Sequence, residues 1–160
     1  MKSLYFSAFP KTERFSLLQL VLMTLHRNIH LQAIYDKTEF VGLDFLVEGK
    51  TEVYLGYLAI VPDKRGQGYG SRVLKVLEQN YSAKQLVLDI EPVTRKAENY
   101  KQRSSRLHFY QHNGFHRTKK DLVDDGGEYA ILTTANKFNP AVFKHLLKWM
   151  SFGLYRFKIE

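Results

Sequence analysis

The stretch Ile60-Val61-Pro62-Asp63-Lys64-Arg65-Gly66-Gln67-Gly68-Tyr69-Gly70-Ser71 restricts this chain more than any other. An aliphatic run stops at a proline, glycines follow at alternate positions, and a helical pattern with Val73, Leu74, Val76 and Leu77 begins directly behind them. Glycine lacks the Cβ that bars left-handed backbone, so such a turn can point successive N–H groups into one concavity. The unpaired N–H groups of the helix's first turn add a positive pole, and Arg65 adds a full charge. The expected unit is a strand, an anion-cradling loop over Arg65 to Gly70, and a helix over Ser71 to Gln79. A plain glycine-rich surface turn has the same composition. A Walker loop is excluded because no Gly-Lys-Ser/Thr follows, and the third glycine falls one residue too early for a dinucleotide fingerprint.

On either side of this unit the pattern alternates between strand and helix periods. Leu4 to Phe6 reads as a short strand, and Thr12 is placed to cap a helix with Phe15, Leu18, Leu22 and Leu25 on its core face. Leu31 to Tyr35, Glu39 to Val47 and Glu52 to Val61 are β-rich runs separated by short polar turns, as in an antiparallel meander. Leu86 to Ile90 is a strand beyond the loop's helix, and Arg103 to His112 is a further helix stopped at Asn113-Gly114. Phe115 to Thr118 leads out of it, Tyr129 to Thr133 is another strand, and Pro140 opens a last helix through about Met150. Hairpins beside a strand-helix-strand crossover predict an α/β or α+β fold with a mixed, mostly antiparallel central sheet flanked by helices.

The chain has 160 residues, which is the size of one domain, and no Pro/Ser-rich linker divides it, so residues 1–160 are expected to form a single domain. Cysteine is absent, which excludes a disulfide framework and a thiolate nucleophile. No apolar run is long enough for a signal peptide or membrane span, and the expected location is the cytoplasm, with no membrane partner. The net charge of +8 is dispersed and no basic run reaches arm length, so nucleic acid is not an expected partner. His108 and His112 share the spacing of a zinc pair without a His-Glu-x-x-His pattern, and no metal is expected.

Two segments in the right order carry a family likeness. Leu58-Ala59-Ile60-Val61-Pro62 followed by Arg65-Gly66-Gln67-Gly68-Tyr69-Gly70 resembles the GCN5-related N-acetyltransferase (GNAT) superfamily, whose cofactor loop reads Arg/Gln-x-x-Gly-x-Gly/Ala. Leu107-His108-Phe109-Tyr110-Gln111-His112-Asn113-Gly114-Phe115 is similar to its later helix ending in Phe-Tyr-x-x-x-Gly-Phe. The likeness covers roughly Leu31 to Thr133. It departs from the family at Arg103 and Arg106, where asparagine and alanine are common.

The resemblance implies the acyl-CoA N-acyltransferase fold and an acetyltransferase using acetyl-CoA (coenzyme A) as co-substrate. By that resemblance a pair of parallel strands splays beyond Ile60, and the pantetheine arm bonds the backbone of Leu58, Ala59 and Ile60. Arg65, Gly66, Gln67, Gly68, Tyr69, Gly70 and Ser71 then hold the pyrophosphate, and a backbone N–H near Leu58 faces the oxyanion. Tyr110 matches the family tyrosine that protonates the leaving thiolate, the alternative being an aromatic packed on the sheet. Glu91, at the end of Leu86 to Glu91, is placed to accept the amine proton, the alternative being a solvated strand end; Asp89 shares its face if the strand is regular. The acceptor is a primary amine on a small molecule, peptide or protein. The alternatives are a non-catalytic acyl-CoA-binding sensor of the same fold and a basic nucleic-acid-binding domain. The apolar positions Phe143, Leu146, Leu147 and Trp149 to Tyr155 suit either a closed core or a homodimer.

Overall fold

A computed structural model describes residues 1–11 and 14–160. Its seven strands, β1 (Ile29–Asp36), β2 (Glu39–Glu48), β3 (Glu52–Ile60), β4 (Gln85–Ile90), β5 (His116–Asp124), β6 (Gly127–Thr133) and β7 (Phe157–Ile159), form one sheet in the order β1-β2-β3-β4-β6-β5-β7. Only β3 and β4 run parallel; every other neighbouring pair is antiparallel. The parallel pair needs a crossover, and α3 (Tyr69–Asn80) supplies it. The mixed, mostly antiparallel sheet expected from the hairpins and the crossover is what forms.

Helices cover both faces. On one, α1 (Lys2–Ala8), α2 (Leu17–Thr24) and α5 (Pro140–Met150) bury Tyr5, Leu20, Met23, Phe143 and Leu147 against Leu43, Phe45, Val87 and Ile131. On the other, α3 and α4 (Tyr100–His112) bury Leu74, Leu77 and Tyr110 against Leu55, Leu86, Leu88 and Leu132. Asn139 caps α5 by accepting from the Ala141 and Val142 N–H groups, with Pro140 at the first turn.

Two irregularities at the sheet's centre build the site. β3 pairs with β4 only over Glu52–Gln85, Val53–Leu86 and Tyr54–Val87, and beyond those pairs the two strands separate. The splay therefore opens at Tyr54, well before the Ile60 implied by resemblance. Against β2, Leu55 pairs with Leu46 and Tyr57 with Phe45, which leaves Gly56 as an extra, bulged residue. A Cβ on Gly56 would stand 3.0 Å from a Phe45 ring carbon and 3.1 Å from Tyr54, so a larger residue there would have to push one of these rings aside. The extra residue resets the in-out alternation, and Tyr54 and Tyr57, three apart, both join the cluster under α1 and α5.

Several expectations near the termini are corrected. Leu4 to Phe6 is not a strand but part of α1, a stretch of seven residues with no β-branched side chain to favour extended backbone. The expected cap Thr12 lies outside the described residues, and α2 begins later, at a capping box in which Ser16 Oγ accepts from Gln19 N–H and Gln19 Oε1 from Ser16 N–H. That start rotates the helix so that Leu20 and Met23 are buried while Leu18, Leu22 and Leu25 are exposed. A helix apolar on nearly all sides has no phase that periodicity alone can choose. β5 runs on to Asp124, six residues past Thr118, and gains β7 as an unforeseen edge partner through Leu122–Ile159 and Asp124–Phe157.

Two carboxylates are enclosed beside these features. Asp44 and Glu52 are both buried, and Asp44 Oδ1 and Glu52 Oε1 have no hydrogen-bond partner among the described residues. Burial raises the Glu52 carboxyl to about 7, against the opposing Gln85 bond, and raises Asp44 from 3.8 to about 6, against the opposing His30 charge. Because the folded state holds the Asp44 proton more tightly than the unfolded chain, stability is full below pH 3.8 and declines as pH rises through about 6. Replacing Asp44 by asparagine removes that decline. In urea unfolding, the variant's stability relative to the parent should rise by up to about 3 kcal/mol between pH 4 and pH 7. A difference that stays flat across this range would contradict an enclosed, protonatable Asp44.

Candidate active site

The glycine loop leaves β3 through a single 3-10 turn at Pro62–Lys64 and enters α3 with Gly68 as the cap residue. Gly66 and Gly68 have φ of 74° and 81°, the left-handed region, and a Cβ at either would meet nothing within 4 Å. Conformation, not space, demands glycine there. Gly70 has the opposite reason: it already lies in the helix, and a Cβ would come within 2.9 Å of the Phe109 ring of α4. No side chain caps the start of α3 and no acidic residue occupies its first turn, so its N–H groups point outward unshielded.

Gln67 Nε2 donates to the Asp63 carbonyl at 2.7 Å and braces the turn; its side chain does not face the cleft. Tyr69 Oη donates to Asp36 Oδ2 at 2.7 Å, pinning the loop to the end of β1, and the Arg72 guanidinium lies 4.0 Å from the Tyr69 ring centre. These contacts hold the cradle without drawing on the backbone donors inside it.

From the loop a cavity of about 840 Å³ runs through the splay between β3 and β4. It brings together Leu58, Ala59, Ile60, Arg65, Gly66, Gly68, Tyr69, Gly70 and Ser71 with Glu91 and Tyr110, so every site residue expected from the sequence except Gln67 lines one space. Along Leu55 to Ile60 the β4-facing edge of β3 has no strand partner among the described residues. Arg65 Nε donates to the Ile60 carbonyl at 3.0 Å, so this guanidinium bridges the strand edge and the loop.

Tyr110 projects from α4 between Phe109 and Phe115, with ring centres at 5.0 and 5.6 Å. No hydrogen bond joins its hydroxyl to another described residue, and the residue lines the cavity. Burial pushes this phenol up to about 12; the Arg106 charge opposes the rise and the Asp89 charge adds to it. It keeps its proton at neutral pH and can donate it. Phe109 packs under Gly70 and Tyr110 faces the cleft, so the two aromatic residues of the later motif serve the loop and the cavity respectively.

Glu91 is heavily engaged. Arg103 Nη2 reaches Oε1 at 2.6 Å, Arg106 Nη1 reaches Oε2 at 3.2 Å and Asn99 Nδ2 reaches Oε2 at 3.4 Å. Arg103 also donates to the Pro92 carbonyl at 3.1 Å and to Asn99 Oδ1 at 2.6 Å. The two arginines that depart from the family pattern thus clamp the exit of β4 to α4, and both Glu91 oxygens are committed to that clamp.

The sequence reading missed a second group. Beneath the splay, Tyr54 Oη donates to Asp89 Oδ1 at 2.7 Å, Tyr155 Oη donates to Asp124, and Tyr57 Oη accepts from Phe15 N–H at 3.1 Å. All of these residues line the same cavity with Phe9, Arg14 and Tyr129. Burial raises the Tyr54, Tyr57 and Tyr155 phenols well above the ordinary value, and carboxylate charges add to it, so each is a neutral donor. The alternation of Asp89 with Glu91 was the only signal of this group in the sequence.

Residues 27–117 match the model of the acetyltransferase (GNAT) domain family. A search of curated proteins finds no match. Among solved structures, a Bacteroides thetaiotaomicron protein described as a GNAT-family acetyltransferase is 25% identical, with a TM-score of 0.78, covering 96% of this chain and 90% of that one. An aminoglycoside 6'-N-acetyltransferase complexed with coenzyme A is 16% identical, with a TM-score of 0.62 over 86% of this chain and 89% of its own. The Escherichia coli ribosomal-protein-S18-alanine N-acetyltransferase is 16% identical, with a TM-score of 0.60 over 82% of this chain and 81% of its own. With the family model spanning more than half the chain, over the splayed strands and the glycine loop, this protein belongs to the GNAT acetyltransferase family.

Proposed function

We propose that residues 1–160 form one N-acetyltransferase domain that moves an acetyl group from acetyl-coenzyme A to a primary amine by direct attack within a complex of enzyme, donor and acceptor. The observation that carries this reading is the continuity of one cavity from an uncapped helix N-terminus, along an unpaired strand edge, to the Tyr110 hydroxyl. A long donor with phosphates at one end, amides along its arm and a thioester at the other matches those features in that order. The coenzyme A bound to the aminoglycoside acetyltransferase of similar fold supports the same donor.

In this reading Gly66, Gly68 and the first turn of α3 hold the pyrophosphate through backbone N–H groups. Arg65 leaves the Ile60 carbonyl to meet a phosphate, which frees that carbonyl for an amide of the arm. Leu58, Ala59 and Ile60 fix the arm by backbone bonding, as an added strand would be held. The donor supplies an activated acyl group with a thiolate leaving group. Tyr110, neutral at the working pH, gives its proton to the departing sulfur.

Coenzyme A release measured against polyamines, amino acids, aminoglycosides and peptides tests the activity. Binding of acetyl-coenzyme A with no release across the panel would instead identify a sensor. A Tyr110→Phe protein should bind coenzyme A as the parent does and turn over about 100-fold more slowly, the usual scale for losing a positioned acid. Unchanged turnover would remove Tyr110 from the chemistry and leave it as a packed aromatic.

A further inference from the structure

We propose that Asp89, held by the Tyr54 hydroxyl, is the carboxylate that takes the acceptor's proton, and that the acceptor is a small, multiply charged cationic amine entering under α1 and α5. The inference rests on the acetyltransferase reading and deepens it.

Glu91, Asp89 and Asp124 line the cavity, and Glu91 is consumed by the Arg103 and Arg106 clamp. Asp89 lies one strand pair inward, where β3 and β4 have already parted, and Tyr54 comes to it from the opposite strand at 2.7 Å. Tyr54 faces that side by the regular alternation of β3, and the Gly56 bulge brings Tyr57 to it as well. The field of Asp89 reaches Tyr54 and Tyr57 on β3, Tyr110 on α4 and Tyr155 in the C-terminal segment, so it sits centrally among the tyrosines of the cleft. It is the carboxylate whose charge is felt at Tyr110, on the far face of the sheet.

The charged groups facing this space divide by position. Lys64, Arg65 and Arg106 belong to the loop and α4, at the donor's end. Beneath the splay stand Asp89 and Asp124 with Tyr54, Tyr57, Tyr129 and Tyr155. Arg14 also borders this part, with its guanidinium donating to the Phe6 carbonyl at 2.8 Å and stacked 4.6 Å from the Phe6 ring centre, which turns it toward α1. In a chain of net charge +8, the two aspartates and four tyrosines that stand here among the described residues favour a compact cation, with aromatic faces adding to the attraction.

The chemistry balances with the residues present. An ammonium of the acceptor gives one proton to the Asp89 carboxylate, and the freed nitrogen pair forms the N–C bond as the C–S bond breaks. Tyr110's proton goes to sulfur, the second proton of the nitrogen returns to Tyr110 through solvent, and Asp89 releases its own to bulk water. The remaining positive charge of the acceptor lies toward Asp124, which keeps its bonds from Gly126 N–H, Gly127 N–H and Tyr155 Oη and acts through its charge alone.

Coenzyme A release from acetyl-coenzyme A with 1,4-diaminobutane as acceptor, followed from pH 5 to 9 beside calorimetric coenzyme A binding, tests this. The parent should show kcat/KM falling on the acidic side. Asp89→Asn should lose at least about 100-fold and the acidic limb, with coenzyme A affinity kept. Tyr54→Phe should move the limb to higher pH, because the carboxylate loses a donor that favours its charged form, and Glu91→Gln should leave it in place. Asp89→Asn with parental rate and limb would overturn the assignment, as would a parent that binds coenzyme A yet releases none with the diamine while a monocationic amine is turned over. A parent that does not bind coenzyme A would instead sink the acetyltransferase reading itself.

Discussion

A Gly68→Val protein should bind coenzyme A about 100-fold more weakly than the parent and yet stay folded. Gly68 sits at φ 81° as the cap of α3, where a β-branched residue is strained by roughly 1–3 kcal/mol. A Cβ there meets no atom within 4 Å, so the strain is relieved by rotating the backbone and not by repacking the core. That rotation turns the N–H groups of the loop and the first turn of α3 away from a shared focus. Each misdirected donor to a charged oxygen removes a bond of about 1.5–3 kcal/mol, which brings the loss to about two orders of magnitude in Kd. Calorimetric titration reads the affinity and thermal unfolding reads the fold. Gly70→Ala makes the contrast, because its Cβ presses on the Phe109 ring and disturbs α4 without imposing left-handed strain. Parental affinity in Gly68→Val would remove the loop from donor binding.

Truncation of Phe143 should produce the largest loss of stability. The ring is fully enclosed on α5 and stands edge-on to Tyr54 at 5.4 Å and to Phe138 at 5.8 Å. Phe143→Ala loses the transfer free energy of the ring and leaves a cavity, together about 3–5 kcal/mol, a large part of the roughly 5–15 kcal/mol that holds a domain folded. At about 2–4 °C per kcal/mol the midpoint should fall by about 10 °C. Activity should drop beyond the folded fraction, because Tyr54 loses the ring that fixes it against Asp89. Phe152, two residues past the same helix and 69% exposed, is the control: its alanine variant should stay within about 0.5 kcal/mol of the parent. Equal effects at the two positions would contradict the placement of α5 over the sheet.

The glycine loop and the elements around it were legible because their signals are local. Glycine at 66 and 68 answers to the backbone angles of those residues alone, and the strand before and helix after are written in short periodic runs. The placing of Tyr110 in the cleft follows from a motif on one helix, whose neighbour Phe109 fills the space left by Gly70. Where local signals were ambiguous, the reading slipped. The apolar run after Ser16 fits several helix phases, and only the capping box chooses one. Residues 2–8 carry no decisive pattern, and packing against β3 through Tyr5 and Tyr57 makes them a helix.

By itself, then, the sequence determined the order of strands and helices from Leu31 to Met150, the glycine turn at Arg65 to Gly70 and the likeness to the acetyltransferase family. Tertiary structure alone decided which carboxylate the arginines of α4 take up. Glu91 looked free at the end of its strand, but Arg103 and Arg106 reach it only when α4 folds back over β4. Asp89 looked ordinary until the sheet set Tyr54, 35 positions earlier in the chain, against it. The difference is physical: backbone conformation answers to a few neighbouring residues, whereas a side chain's partners depend on which distant strands the sheet brings side by side.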